Sequence, residues 1–97
     1  MNIQIEHTLS KQEAKSRIEK LIQYYKNKYS SDLKNLTVHW ADYKAHIAFT
    51  AKGYTSSSHI EIGENIININ LKIPILLQAF GQKIRSIIVN TIKQGLY

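Results

Sequence analysis

Between Leu36 and Lys72 apolar and polar residues alternate, and three turn signals, "ADYK", "KGYT" and "IGEN", divide the run into four segments. Alternation with period two marks strands that bury one face and leave the other wet. Each turn is read with two central residues: Asp42-Tyr43, Gly53-Tyr54 and Gly63-Glu64. The last two then place glycine first, as a tight hairpin turn prefers. In that register Val38 and Trp40 share a face with Ala45, Ile47, Phe49 and Ala51. The same face continues through Ser56, Ser58, Ile60 and Ile62 to Ile67, Ile69 and Leu71. A slip of one residue at any turn would invert a whole strand, so the agreement specifies an antiparallel meander. The opposite face is polar and includes Thr37, His39, Lys44, His46, His59, Glu61, Asn68 and Asn70.

A face that apolar must be covered, and the flanking segments supply the cover. "NIQIEH" reads as a short half-buried strand through Ile3 and Ile5. Ser10 and Glu13 then have the spacing of a capping box, with Leu9 placed as a hydrophobic staple. The helix they open carries Ala14, Ile18, Leu21, Ile22, Tyr25 and Tyr29 on one stripe. Lys15 and Lys26 flank one edge of the stripe, Arg17 and Lys28 the other, where their stems can cover apolar surface while their charges stay in water. "SSDLKN" breaks the pattern as a loop.

After the meander, Ile73-Pro74 ends the last strand and starts a second helix. Its stripe holds Leu76, Leu77, Phe80, Ile84, Ile87, Ile88 and Ile92, and Gly95 is placed to cap its C-terminus. Ile75 and Val89 fall off the stripe and are expected to be exposed. The order is β-α-β-β-β-β-α, an α+β fold with a single curved antiparallel sheet and two helices on one face. Residues 1–97 are expected to form one domain, since 97 residues suffice for one small core and not for two.

The absence of cysteine excludes disulfides, thiolate metal sites and a cysteine nucleophile, and fits a cytoplasmic protein. No run is long and apolar enough for a transmembrane helix, and the N-terminus carries no apolar signal segment. Thirteen Lys and Arg stand against seven Asp and Glu, a net charge of +6. Such an excess favours anionic partners, nucleic acid or acidic lipid among them. No helix-turn-helix, zinc-finger or aromatic RNA-binding signature accompanies it, so nucleic-acid binding rests on charge alone and is not favoured.

The histidines come closest to a chemical site. In the register above His39 lies opposite His46, Glu61 lies opposite His46 on its other side, and His59 is diagonal to it. Three imidazoles and a carboxylate could ligate zinc or another divalent metal, but on a solvated face a plain polar surface is the better reading. Ser56, Ser58 and His59 cannot form a nucleophile and base, because adjacent strand residues point to opposite faces. The two serines instead suggest a narrow place under a helix or the rim of a cavity for a small apolar ligand, although a filled core is expected at this length. Tyr43 and Tyr54 sit at turns, where tyrosines without partners are the common case. No cofactor motif is present.

"IQIEHTLSKQEAKSRIEKLIQYYKNKY", then "VHW", a glycine-bearing sheet, and "IININLKIPILLQAFGQKIRSIIVNTI" resemble the polyhydroxyalkanoic acid system family over nearly the whole chain. The resemblance is carried by the His7-x-Leu9-Ser10 approach to the first helix with Ala14, by the Trp40 strand, and by the spacing of the last helix. It implies a non-catalytic accessory role at a polyester granule or another apolar or anionic surface, with no catalytic residues to carry over. Lys15, Arg17, Lys26, Lys28, Ile75 and Val89 are the candidate surface-binding residues. By analogy with the helix-grip fold, the first strand is expected beside the last strand. A free sheet edge would allow a homodimer by strand pairing.

Overall fold

The structure, a computed structural model, describes residues 1–28, 31, 34–51, 53–72, 79 and 81–96. Strand β1 (Asn2–Glu6) leads into helix α1 (Lys11–Lys28). Strands β2 (Lys34–Ala41), β3 (Lys44–Ala51), β4 (Tyr54–Ile62) and β5 (Ile66–Leu71) follow, and helix α2 is described from Gly81 to Leu96. The strands form one antiparallel sheet in the order β1-β5-β4-β3-β2, with β1 beside β5 as expected. Tyr29, Ile75 and the stripe positions Leu76, Leu77 and Phe80 lie outside the described residues. No helix among the described residues is long and apolar enough to cross a membrane.

Local chemistry explains most of these boundaries. Ser10 accepts the Glu13 N–H on its hydroxyl at 3.1 Å, which satisfies one free donor of the first turn of α1. Only that half of the capping box forms, because the Glu13 carboxylate accepts the Arg17 guanidinium at 2.9 Å instead. "KN" is not loop but the start of β2. Asn35 takes a positive φ of 56° where the β2–β3 register shifts between Lys34 and Thr37. An asparagine tolerates that conformation, and the bulge shifts the pairing of Lys34 by one residue, while Leu36 stays on the face of Val38 and Trp40 by alternation. At the β2–β3 turn Asp42, with φ of 55°, stands in for the glycine that "ADYK" lacks.

The faces of the meander agree with the alternation, whereas two of its three registers do not. Ala51 pairs with Tyr54, so Tyr54 belongs to β4 and not to the β3–β4 turn, where Gly53 takes a φ of 82°. Ile62 pairs with Ile67, and the Gly63 N–H donates to the Ile66 carbonyl at 2.8 Å, so Glu64 and Asn65 are central in the last turn. Each pairing is displaced by two residues from the expected one. A displacement of two keeps every side chain on its face, so burial raises no objection to it.

The core is densest over β1, β5 and β4. Ile3, Ile5, Ile60, Ile62, Ile67 and Ile69 are buried there, under Ala14 and Ile18 of α1 and Ile92 and Leu96 of α2. Each such aliphatic side chain contributes roughly 1.5–3 kcal/mol on full burial. Helix α2 packs on β1 and on α1, and α1 packs on β4. Gly95 is therefore no cap: it lies inside α2, in the last turn, against α1. Over β2 and β3, Val38, Trp40, Ile47 and Phe49 are only half-buried.

Candidate functional site

On the helix-free face, His39 is opposite His46 and His46 is opposite His59, so the three imidazoles form one row across β2, β3 and β4. The His46 and His59 rings stack with centroids 4.4 Å apart and planes 25° from parallel. The row continues through Asn70 to Asn2, whose side chains share a hydrogen bond of 2.7 Å. Glu61 is displaced from the row and stands opposite Lys44, not His46. This correction follows from the two-residue register displacement, and it separates the carboxylate from the imidazoles it was expected to join. Among the described residues no group of three or more His, Cys, Asp or Glu is placed to hold a metal ion.

The cations on the edges of α1 are largely engaged within the molecule. Lys15 lies over the Trp40 ring at 5.2 Å and the Tyr43 ring at 5.5 Å, and approaches Glu19 at 3.9 Å. Lys11 lies over Tyr43 at 4.4 Å. Tyr43 is thus not a turn tyrosine without a partner: two ammonium groups one helical turn apart face its ring, and its carbonyl accepts the Ile62 N–H at 2.8 Å. Arg17 pairs with Glu13, and Lys28 lies over Tyr24 at 5.7 Å. Val89, expected to be exposed, is half-buried and packs against the core. Ile87, placed on the buried stripe, is 56% exposed. The helix is rotated from the expected orientation because α2 rests on α1 and β1 and does not reach across the sheet.

Among the described candidate surface residues, only Lys26 lines a cavity with strongly apolar walls. That cavity is a cleft of about 450 Å³ between the helices and the β2–β3 end of the sheet. Leu21, Ile22 and Tyr25 form the α1 wall, and Ile87, Ile88 and Thr91 form most of the α2 wall. Each helix offers neighbouring positions and the pair one turn later, which is the spacing that lines a groove with continuous apolar rungs. Leu36, Ile47 and Phe49 make the floor, and Ile92 closes the inner end of the α2 wall. Ser56 and Ser58 are not part of the lining of the cleft. Ser58 is buried, and Ser56 donates its hydroxyl to the Lys72 carbonyl at 2.6 Å, which ties the end of β5 to β4.

Sequence reasoning also missed His7, which is 4% exposed at the junction of β1 with α1. Its Nε2 donates to the Gly63 carbonyl at 2.9 Å, and its N–H donates to the Asn65 carbonyl at 2.8 Å. These contacts fasten the β4–β5 turn to the entrance of α1. The signal was the His-x-Leu-Ser spacing, and its mechanical content becomes visible only once β1 lies beside β5.

No curated protein and no solved structure matches the chain. A family model described as "Putative polyhydroxyalkanoic acid system protein" matches residues 1–96, and the chain belongs to that family.

Proposed function

We propose that this protein is a non-catalytic accessory component of the polyhydroxyalkanoic acid storage system that binds apolar polyester or lipid-like material through the cleft between α1, α2 and the β2–β3 hairpin. The observation that carries this reading is the cleft itself: an almost wholly apolar concavity of about 450 Å³ left open in a domain of 97 residues. Small domains spend their apolar side chains on the core. Leaving Ile87 exposed beside half-buried Phe49 and Ile47 forgoes burial that the fold could otherwise have gained. Membership of a family described by the polyhydroxyalkanoic acid system supports this reading, because a surface of that composition would supply apolar contact to polyester.

The non-catalytic part of the reading is supported by where the polar groups lie. The imidazoles occupy the helix-free face, whereas Ser56 and Ser58 belong to the other. Neither Ser56 nor Ser58 is therefore brought to an imidazole. Co-sedimentation with amorphous polyhydroxyalkanoate particles tests the proposal. The protein is expected to pellet with the particles at high as well as low salt, because apolar burial is not screened. Ile87→Glu is expected to release it. Binding that vanishes at high salt and ignores Ile87→Glu would assign the attachment to charge and defeat the reading.

A further inference from the structure

A particle surface is broad and nearly flat on the scale of a domain, whereas the cleft is a concavity. What fills it must leave the surface as a single chain or arrive as one. The apolar lining is short: it runs from Leu21 to Lys26 on α1 and from Ile87 to Ile92 on α2, whereas groove recognition of a helix reads anchors at i, i+3, i+4 and i+7 over two turns or more. The cleft volume of about 450 Å³ falls within the roughly 300–1,000 Å³ typical of small-molecule sites.

The lining then specifies the chemistry of the chain. Leu21 and Ile22 face Ile87 and Ile88 across a floor that includes Phe49, so the bulk of the ligand is hydrocarbon. Lys26 follows Ile22 by one turn of α1 and is the only charged side chain among the described residues of the lining. It is exposed, and the ion pairs of α1 join other residues, Lys15 with Glu19 and Arg17 with Glu13. An ammonium at the wet rim of a hydrocarbon groove complements an anionic end group.

We infer that the cleft is a site for one linear acyl chain bearing a free carboxylate, with the hydrocarbon between α1 and α2 and the carboxylate at Lys26. This rests on the reading of the cleft as the protein's apolar binding site. A free fatty acid has this chemistry throughout, and the carboxyl end of a polyester chain shares its terminal carboxylate and apolar character while carrying ester groups and alkyl branches.

The test is calorimetric titration of the full chain with linear saturated fatty acids of eight, ten and twelve carbons, their methyl esters, and free-acid oligomers of a 3-hydroxyalkanoate, all below their micelle concentrations. The expected result is one chain per protein, with affinity rising about fourfold per added methylene. Methylation of the carboxylate, or Lys26→Gln, is expected to weaken binding by about two- to fivefold, as befits an exposed ion pair, and Lys26→Arg to retain it. Tighter binding of the oligomer would support the polyester chain end as the source, and tighter binding of the fatty acid would support a lipid source. Equal affinity for acid and ester, with the chain-length dependence intact, overturns the role of Lys26 and spares the cleft. Absence of chain-length dependence, with particle binding still lost in Ile87→Glu, overturns the single-chain site. If Ile87→Glu leaves both kinds of binding unchanged, the underlying reading of the cleft falls as well.

Discussion

Gly95 of α2 lies so close to Leu21 of α1 that a Cβ at position 95 would stand 3.0 Å from Leu21 Cδ2 and 3.1 Å from Cδ1. In an open helix interior, glycine to alanine stabilises by roughly 0.5–1 kcal/mol. Here the gain has to be set against moving a half-buried leucine that also walls the cleft. Gly95→Ala is therefore expected to leave stability no higher than in the parent protein. In a Leu21→Ala background the same change should stabilise by about 0.5–1 kcal/mol. Denaturant melts of the four proteins of this double-mutant cycle check the coupling.

That contact also shows why position 95 could not be read from the chain. A glycine after a periodic run is a sound cap signal, but whether the helix stops depends on what lies beside it, and Leu21 is 74 positions earlier. The meander teaches the same lesson in a sharper form. Alternation fixed which residues face the helices, because a slip of one residue would bury His39 and His59. It was blind to slips of two, which preserve every face. The hydrophobic pattern thus determined the buried set, and it left the pairing of His46 with His59 to the geometry of the β3–β4 turn at Gly53, and that of His59 with Asn70 to the turn at Glu64-Asn65. The cleft was hidden for a related reason. Periodicity marks Ile87, Ile88 and Ile92 as one stripe, and the partial covering of that stripe follows from where α2 packs, on α1 and β1, which the helix itself does not record.

The pairing of Lys44 with Glu61 tests the register directly. The two residues are opposed across β3 and β4 on the exposed face. Lys44→Glu would set two carboxylates face to face and is expected to cost about 0.2–1 kcal/mol. The exchange Lys44→Glu with Glu61→Lys should recover most of that loss. Thermal melts at low salt would show it, and failure of the exchange to recover stability would favour the register in which Glu61 faces His46.

His7 should behave unlike the histidines of the sheet face. A carbonyl oxygen only accepts, so the contact with Gly63 requires the proton on Nε2. Nitrogen NMR of the imidazole should report that tautomer. His7→Ala removes the hydrogen bond and a buried ring together, and a loss of about 2–3 kcal/mol is expected. His39→Ala, on the exposed row, should fall within about 0.5 kcal/mol of the parent.

Ile87 and Ile92 line the same cleft at opposite depths, 56% and 8% exposed. Packing and binding should therefore separate between them. Ile92→Ala opens a cavity beneath α2 and is expected to cost about 2–5 kcal/mol of stability. Ile87→Ala removes a side chain that the fold hardly uses and should change stability by no more than about 0.5 kcal/mol. Binding to polyester particles should rank the pair in the reverse order when measured well below the melting temperature of each variant. Ile87→Ala loses direct contact with the ligand, whereas Ile92→Ala keeps the outer walls formed by Ile22, Ile87 and Ile88. Equal loss of binding in proportion to lost stability would mean that the cleft is only a packing defect, because a true site must be able to lose its ligand while the fold stays intact.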